Sequence, residues 1–160
     1  MTWAEVVDNP ILQDLPFKIE LNKWGNIEMS PARNRHGAFQ AQIAHLLLSL
    51  KSDGLSITES GVDTAENTKV PDVVWVSYER ARLVPHELSW ESAPEICVEI
   101  SSPSNLLEEQ MHKGQLYLQA GAEEFWLCDE LGQMHFFDAT GPLKCSQLCP
   151  AFPLRVRALD

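Results

Sequence analysis

The chain has 160 residues, 44% of them hydrophobic, and a formal charge of −11. That length suits one domain, and that apolar share supplies a core and argues against disorder. The acidic balance argues against gripping nucleic acid across a wide face; no apolar run is long enough to span a bilayer, and the start of the chain lacks the basic flank of a secretory signal, so a cytoplasmic protein is expected.

Residues 2–16 read as a short helix or irregular arm punctuated by Pro10 and Pro16. Phe17 to Leu21 and Asn26 to Ser30 read as two strands joined through a turn at Gly25. A helix follows, from about His36 to Leu50, with Phe39, Ile43, Leu46, Leu47 and Leu50 on its buried face. His36 and His45 are nine residues apart and point to opposite sides at ~100° per residue, so they cannot pair on one ion. His36 is the better site candidate and His45 a surface or rim residue.

Ser52-Asp53-Gly54 ends the helix. Leu55 to Ser60 reads as a strand and the residues up to Lys69 as a polar loop. Residues 70–77 form the next strand, and Tyr78 to Ser92 reads as a charged loop containing Pro85 and His86. Glu95 to Ser101 alternates: Ile96, Val98 and Ile100 share one face, Cys97, Glu99 and Ser101 the other. Ser102-Pro103-Ser104-Asn105 breaks that strand. Asn105 and Glu108 read as a capping box for a helix reaching Ala120, with Gly121 as its stop. Leu107, Met111 and Leu118 fit an inward stripe, as do Leu106, Gln110 and Tyr117 next to it. Phe125 to Cys128 and Met134 to Phe137 read as a strand pair about an Asp129-to-Gly132 turn, residues 138–142 as a second turn, and Leu154 to Val156 as a last edge strand.

Cys97 and Cys128 fall in apolar strands as small buried hydrophobes. Cys145 and Cys149 could bind zinc with His135, but no fourth ligand is evident. Arg33 and Arg35 beside His36, Arg80 with Arg82, and Arg155 with Arg157 are locally grouped. They read either as ordinary surface arginines or as a basic rim around an acidic site.

The chemistry concentrates between Val70 and Tyr117. Pro71-Asp72 opens the run Val73-Val74-Trp75-Val76, where proline is tolerated at a strand start. Glu99 lies mid-strand, where an ionised acid is costly unless a cation or donor meets it. If the two strands are neighbours, Asp72 and Glu99 converge on one ion; the plainer reading is a structural salt bridge or a solvent-facing edge. Lys113, in the helix after Glu99, reaches the acids only if helix and strand pack so that its side chain folds back.

The run from Glu99 through Ser102-Pro103-Ser104-Asn105, Lys113, and residues 117–129 resembles the Uma-type restriction endonuclease domain family. That family is a branch of the PD-(D/E)xK nuclease-like superfamily. Residues 17–31, His36-Gly37 and Pro71-Asp72 resemble it too, so the likeness covers about residues 15–138 of a single domain. It implies an α/β, restriction-endonuclease-like fold: a mixed central β-sheet flanked by helices, with additional β-hairpins. It implies Asp72 and Glu99 as metal-binding acids. Ser101 stands where the superfamily has its lysine, and the resemblance maps that lysine to Lys113. Glu20, His36 and Glu109 fall on positions near the family's site.

The function expected is a Mg²⁺- or Mn²⁺-dependent endonuclease hydrolysing DNA. Asp72, Glu99 and the Ile100 carbonyl would hold the ion, and Lys113 would orient water or stabilise the transition state. The competing expectation is a nuclease-like scaffold without catalysis, acting as a binding module; the acidic charge and Ser101 motivate it. Homodimerisation through exposed Trp75, Trp90 or Phe152 is a third expectation.

Overall fold

The computed structural model describes residues 1–85 and 88–158. A short helix α1 (Trp3–Val7) opens the chain, its first turn closed by a Thr2–Glu5 capping box. The hairpin β1 (Phe17–Leu21) and β2 (Ile27–Pro31) follows, turning at Gly25 with φ of 76°. Helix α2 (Asn34–Leu50) leads into β3 (Gly54–Thr58). The segment read as a polar loop instead holds a second hairpin, β4 (Val62–Thr64) and β5 (Asn67–Lys69). Strands this short and this polar give no alternation to read, and their pairing supplies what their composition does not.

The motif strand β6 (Val73–Ser77) runs into α3 (Tyr78–Leu83), a helical turn where a loop was expected. Ser77 caps it, accepting a hydrogen bond from the Arg80 N–H; His86 of that segment lies outside the described residues. Next come β7 (Ile96–Ile100), α4 (Leu107–Gln119), β8 (Glu124–Cys128), β9 (Met134–Asp138) and β10 (Gly141–Leu143). The last of these extends a region read as a turn. The expected edge strand at 154–156 reduces to a single bridge between Gln133 and Arg155.

The central sheet has six strands in the order β10-β9-β8-β7-β6-β3. Only β7 and β8 run parallel, because α4 is the crossover between them. The expected mixed sheet with flanking helices and extra hairpins is therefore the architecture. The strand faces separate as the alternation requires: Ile96, Val98 and Ile100 join Phe39, Ile43 and Leu47 of α2, together with Trp126, Phe136 and Phe152, in one apolar cluster. Cys97 lies in a second cluster on the other face, with Tyr117, Phe125 and Leu127 beneath α4. Each such side chain, fully buried, contributes about 1.5–3 kcal/mol.

Three expectations are corrected here. Asn105 does not cap α4: the helix starts at Leu107, Leu106 stands at its cap without a side-chain bond, and the Asn105 N–H is used in a turn to the Ser102 carbonyl. Leu106 and Leu107 are exposed, and the residues of α4 facing the sheet are Gln110, Gly114, Leu116 and Tyr117. Trp75, Trp90 and Phe152 are buried, so none of them is an exposed dimer contact. The stop of α4 is as expected: Gly121 has φ of 111°, its N–H bonds the Leu118 carbonyl, and the Ala122 N–H bonds the Tyr117 carbonyl. That pair of bonds is a Schellman motif.

Cys97, Cys128 and Cys149 are buried and Cys145 is exposed, all as free thiols. Among the described residues Cys145, Cys149 and His135 do not gather into a metal-holding group. No described helix is long and apolar enough to cross a membrane.

Candidate active site

Asp72 sits just before β6, where its N–H continues the ladder to the Val98 carbonyl (2.9 Å). That pairing sets Asp72 beside the C-terminal end of β7, and the Asp72 Oδ2 accepts the Ile100 N–H at 2.7 Å. Its carbonyl accepts from Gln40 Nε2 of α2 at 2.9 Å. Backbone and helix thus fix the carboxylate from two sides, and its other oxygen faces Lys18 (2.8 Å) and His36 (3.1 Å).

Glu99 is on the face of β7 that α4 covers, where Tyr117 OH donates to its Oε1 at 2.6 Å. Both acids are 1% exposed. A third acid arrives from the hairpin: Glu20 on β1 is buried and accepts the Val70 N–H at 2.7 Å. Two ammonium groups neutralise this trio. Lys18 Nζ lies 2.8 Å from Asp72, 3.5 Å from Glu99 and 3.9 Å from Glu20. Lys113 Nζ lies 2.5 Å from Glu20 and 3.8 Å from Glu99. The residues line a small cleft of about 70 Å³ with Arg33, Gln40, Ser102 and Asn105 on its walls. A larger open cleft of about 720 Å³ adjoins it between the β1–β2 turn and the N-terminal half of α4; Lys113 lines both.

Burial opposes charge on every member of the group, and the close partners decide the outcome. Burial works against ionised Asp72, yet Lys18 and His36 outweigh it and hold the carboxyl well below the usual range. Glu20 also falls below its ordinary value, because burial is outweighed by Lys18 and Lys113. Glu99 goes the other way: burial raises it, the two lysines only partly offset this, and Asp72 and Glu20 add to the rise. Burial would lower Lys18 and Lys113, but the carboxylates around them keep both firmly protonated. His36 is likewise raised against burial by its bond to Asp72.

The structure therefore brings together Asp72, Glu99, Lys113, Glu20 and His36. It does not bring in Ser101 or Glu109. Ser101 Oγ turns aside to donate to Gln110 Oε1 at 2.8 Å, and Glu109 is exposed on α4, lining only the outer cleft. Ile100 reaches the site as the N–H donor to Asp72 Oδ2. His45 is exposed. Of the arginine pairs, Arg33 and Arg35 stand at the site's edge with His36 and Ser102. Arg80 is tied to Ser92 Oγ and the Gly121 carbonyl, at the far end of the sheet.

Two residues of the centre were missed, Lys18 and Tyr117 as a Glu99 partner. Lys18 and Glu20 are two apart on one strand, so period two puts them on one face; that signal was present. Tyr117 is eighteen residues from Glu99, and only the packing of α4 joins them.

The donor set of Asp72, Glu99 and Glu20 is the hard-oxygen chemistry that Mg²⁺ and Mn²⁺ take. As the side chains stand, no three metal-ligating groups among the described residues converge closely enough to hold an ion. A cation does occupy the space between them: the Lys18 ammonium.

A mixed sheet with α2 and α4 on its two faces, acids at the β6–β7 junction and lysines over them, defines a restriction-endonuclease-like nuclease fold. The Uma2 family model, described as "Putative restriction endonuclease", matches residues 10–141, and the chain belongs to that family. A solved putative nuclease of the DUF820 group from Anabaena variabilis ATCC 29413 shares the fold, with a TM-score of 0.72, 16% identity, and 97% of this chain and 94% of that one covered. A chain of the DrdV–DNA complex aligns with a TM-score of 0.44 and 14% identity over 68% of this chain and 9% of that one. No curated protein matches the sequence.

Proposed function

We propose that the chain is a divalent-metal-dependent nuclease that hydrolyses phosphodiester bonds in DNA. One observation carries this: three buried carboxylates from three separate elements converge with two lysines at the mouth of a cleft. Burying five such groups together is costly for a purely structural purpose, since apolar packing of the same volume is often as stable or more so.

Asp72, Glu99 and Glu20 would hold Mg²⁺ or Mn²⁺. When bound, such an ion lowers the pKa of a bound water and neutralises charge on the phosphate. The chain's own residues supply the rest. Ile100 N–H and Gln40 keep Asp72 in place. Tyr117 OH orients Glu99. Lys113, at the join of the two clefts, supplies a fixed positive charge beside a phosphate entering from the outer one. His36 and Arg33 stand on the opposite wall, where they counter phosphate charge.

Plasmid and short single-stranded substrates incubated with Mg²⁺ or Mn²⁺ test the reading, beside Asp72→Asn and Glu99→Gln. These isosteric variants are chosen because truncating Asp72 would strand the Ile100 N–H and leave Lys18 without its nearest partner, costing about 3–5 kcal/mol for a buried pair. Each is expected to lose roughly 100-fold or more of the metal-dependent cleavage while keeping a cooperative unfolding transition. Equal cleavage by wild type and both variants would refute the assignment.

The already satisfied ion pairs favour a second reading, a nuclease-like module that binds without cutting. It requires that Mn²⁺ produce no thermal shift and no cleavage.

A further inference from the structure

We infer that Lys18 is a tethered counter-cation: its ammonium holds the seat of the divalent ion between Asp72, Glu99 and Glu20, and must leave it for an ion to enter. This rests on the metal-site reading above and adds how that site is regulated. Lys18 is within 3.9 Å of all three carboxylates, whereas Lys113 reaches only Glu20 and Glu99. Among the described residues every hydrogen bond and ion pair of the Lys18 ammonium ends on one of those acids, and no neutral partner anchors it there.

The lysine also comes from a different body of structure than the two acids nearest it. Asp72 and Glu99 are fixed by the six-stranded sheet, but Lys18 belongs to the separate β1–β2 ribbon. That ribbon leans on β5, where Lys69 Nζ donates to the Leu21 carbonyl at 2.8 Å. Glu20 rides on the same ribbon, so a change of the Lys18 side-chain rotamer is the movement that withdraws the ammonium without disturbing the carboxylates. Ammonium and ion cannot share the seat, since like charges a few ångströms apart in a partly dry site repel strongly. The lysine therefore stabilises the carboxylate cluster in the absence of metal and lowers its apparent metal affinity.

Calorimetric titration with Mn²⁺, and terbium luminescence sensitised by Tyr117 beside Glu99, test this on wild type, Lys18→Met, Lys18→Gln and Lys113→Met. Both Lys18 variants are expected to bind Mn²⁺ about tenfold or more tightly than wild type, with a smaller gain for Lys113→Met. Their unfolding midpoints should fall without metal and recover with Mn²⁺. Affinity unchanged from wild type, or a gain no larger than that of Lys113→Met, overturns the inference. Should the Lys18 variants fail to fold without metal, refolding is scored with and without Mn²⁺: rescue by Mn²⁺ supports the inference, failure in both overturns it. Metal-dependent cleavage by wild type alongside unchanged Mn²⁺ affinity in the Lys18 variants sinks the lysine inference alone. Tightened Mn²⁺ binding with no cleavage by any protein sinks the nuclease reading alone.

Discussion

Asp72 and Glu99 are both 1% exposed and share Lys18, yet their protonation equilibria move in opposite directions. The difference lies in partners. Burial is resisted at Asp72 by Lys18, His36 and, geometrically, the Ile100 N–H; Glu99 has a neutral tyrosine donor and more distant lysines. The signs set the pH response. A carboxyl lowered by folding, as Asp72 is, adds stability above its unfolded pKa of about 4 that is lost as pH falls through the folded value. A raised one, as Glu99 is, adds stability below its unfolded pKa that fades as pH rises through its folded value. The raised His36 contributes below about 6.5 and is lost as pH climbs past its folded value. Urea unfolding at stepped pH is therefore expected to show wild-type stability falling steadily from about pH 4 downward, with a flatter acid limb in Asp72→Asn. An acid limb equally steep in the variant would show that Asp72 does not carry it.

At the scale of elements, α4 decides the site. Its sheet-facing line is Gln110, Gly114 and Tyr117, spaced as one helix face but containing an amide and a glycine. A Cβ at Gly114 would lie 2.2 Å from the ring of Phe125, which is itself 1% exposed and cannot swing away. The glycine lets α4 approach β8 closely enough for Tyr117 and Lys113 to reach Glu99. Gly114→Ala should destabilise by about 1–3 kcal/mol, as overpacking does, despite alanine's better helix propensity. It should also weaken Mn²⁺ binding by tilting the helix from the acids. Chemical denaturation and Mn²⁺ titration of the variant check both; unchanged stability would mean that α4 does not depend on this close approach. Periodicity allowed two adjoining inward stripes, Leu107-Met111-Leu118 and Leu106-Gln110-Tyr117; close approach at a glycine buries Gln110 and Tyr117 of the second, leaving Leu106 and Leu107 in solvent and Met111 and Leu118 half-covered. The β4–β5 hairpin was illegible for a related reason: Thr68 and Lys69 are buried by tertiary contacts, not by their own character.

For the molecule as a whole, a charge of −11 sets the terms on which the proposed nuclease would meet a polyanion. Basic groups at the cleft are few, Arg33 and His36 on one wall and Lys113 on the other, and both lysines of the centre are engaged by acids. Phosphate affinity in such a protein comes from a local positive focus rather than a broad surface. Gel retention of a short duplex with a non-hydrolysable backbone by metal-free wild type is expected to be absent at about 0.15 M salt and to appear on adding Mn²⁺. Retention of equal strength without metal would show that another surface does the binding.

The residues alone determined the helix from about 36 to 50, the alternating strand around Glu99 and the Gly121 stop, because each is written in local periodicity or turn chemistry; Asp72 and Glu99 were paired by the family resemblance and on the condition that their strands be neighbours, which the β6–β7 pairing meets. The tertiary structure decided which lysine sits between the acids, that Ser101 faces Gln110 instead, and that Trp75, Trp90 and Phe152 are core. Those facts depend on how a separate hairpin and a glycine-fitted helix dock on the sheet, and contact across such sequence distances leaves no periodic trace in the chain.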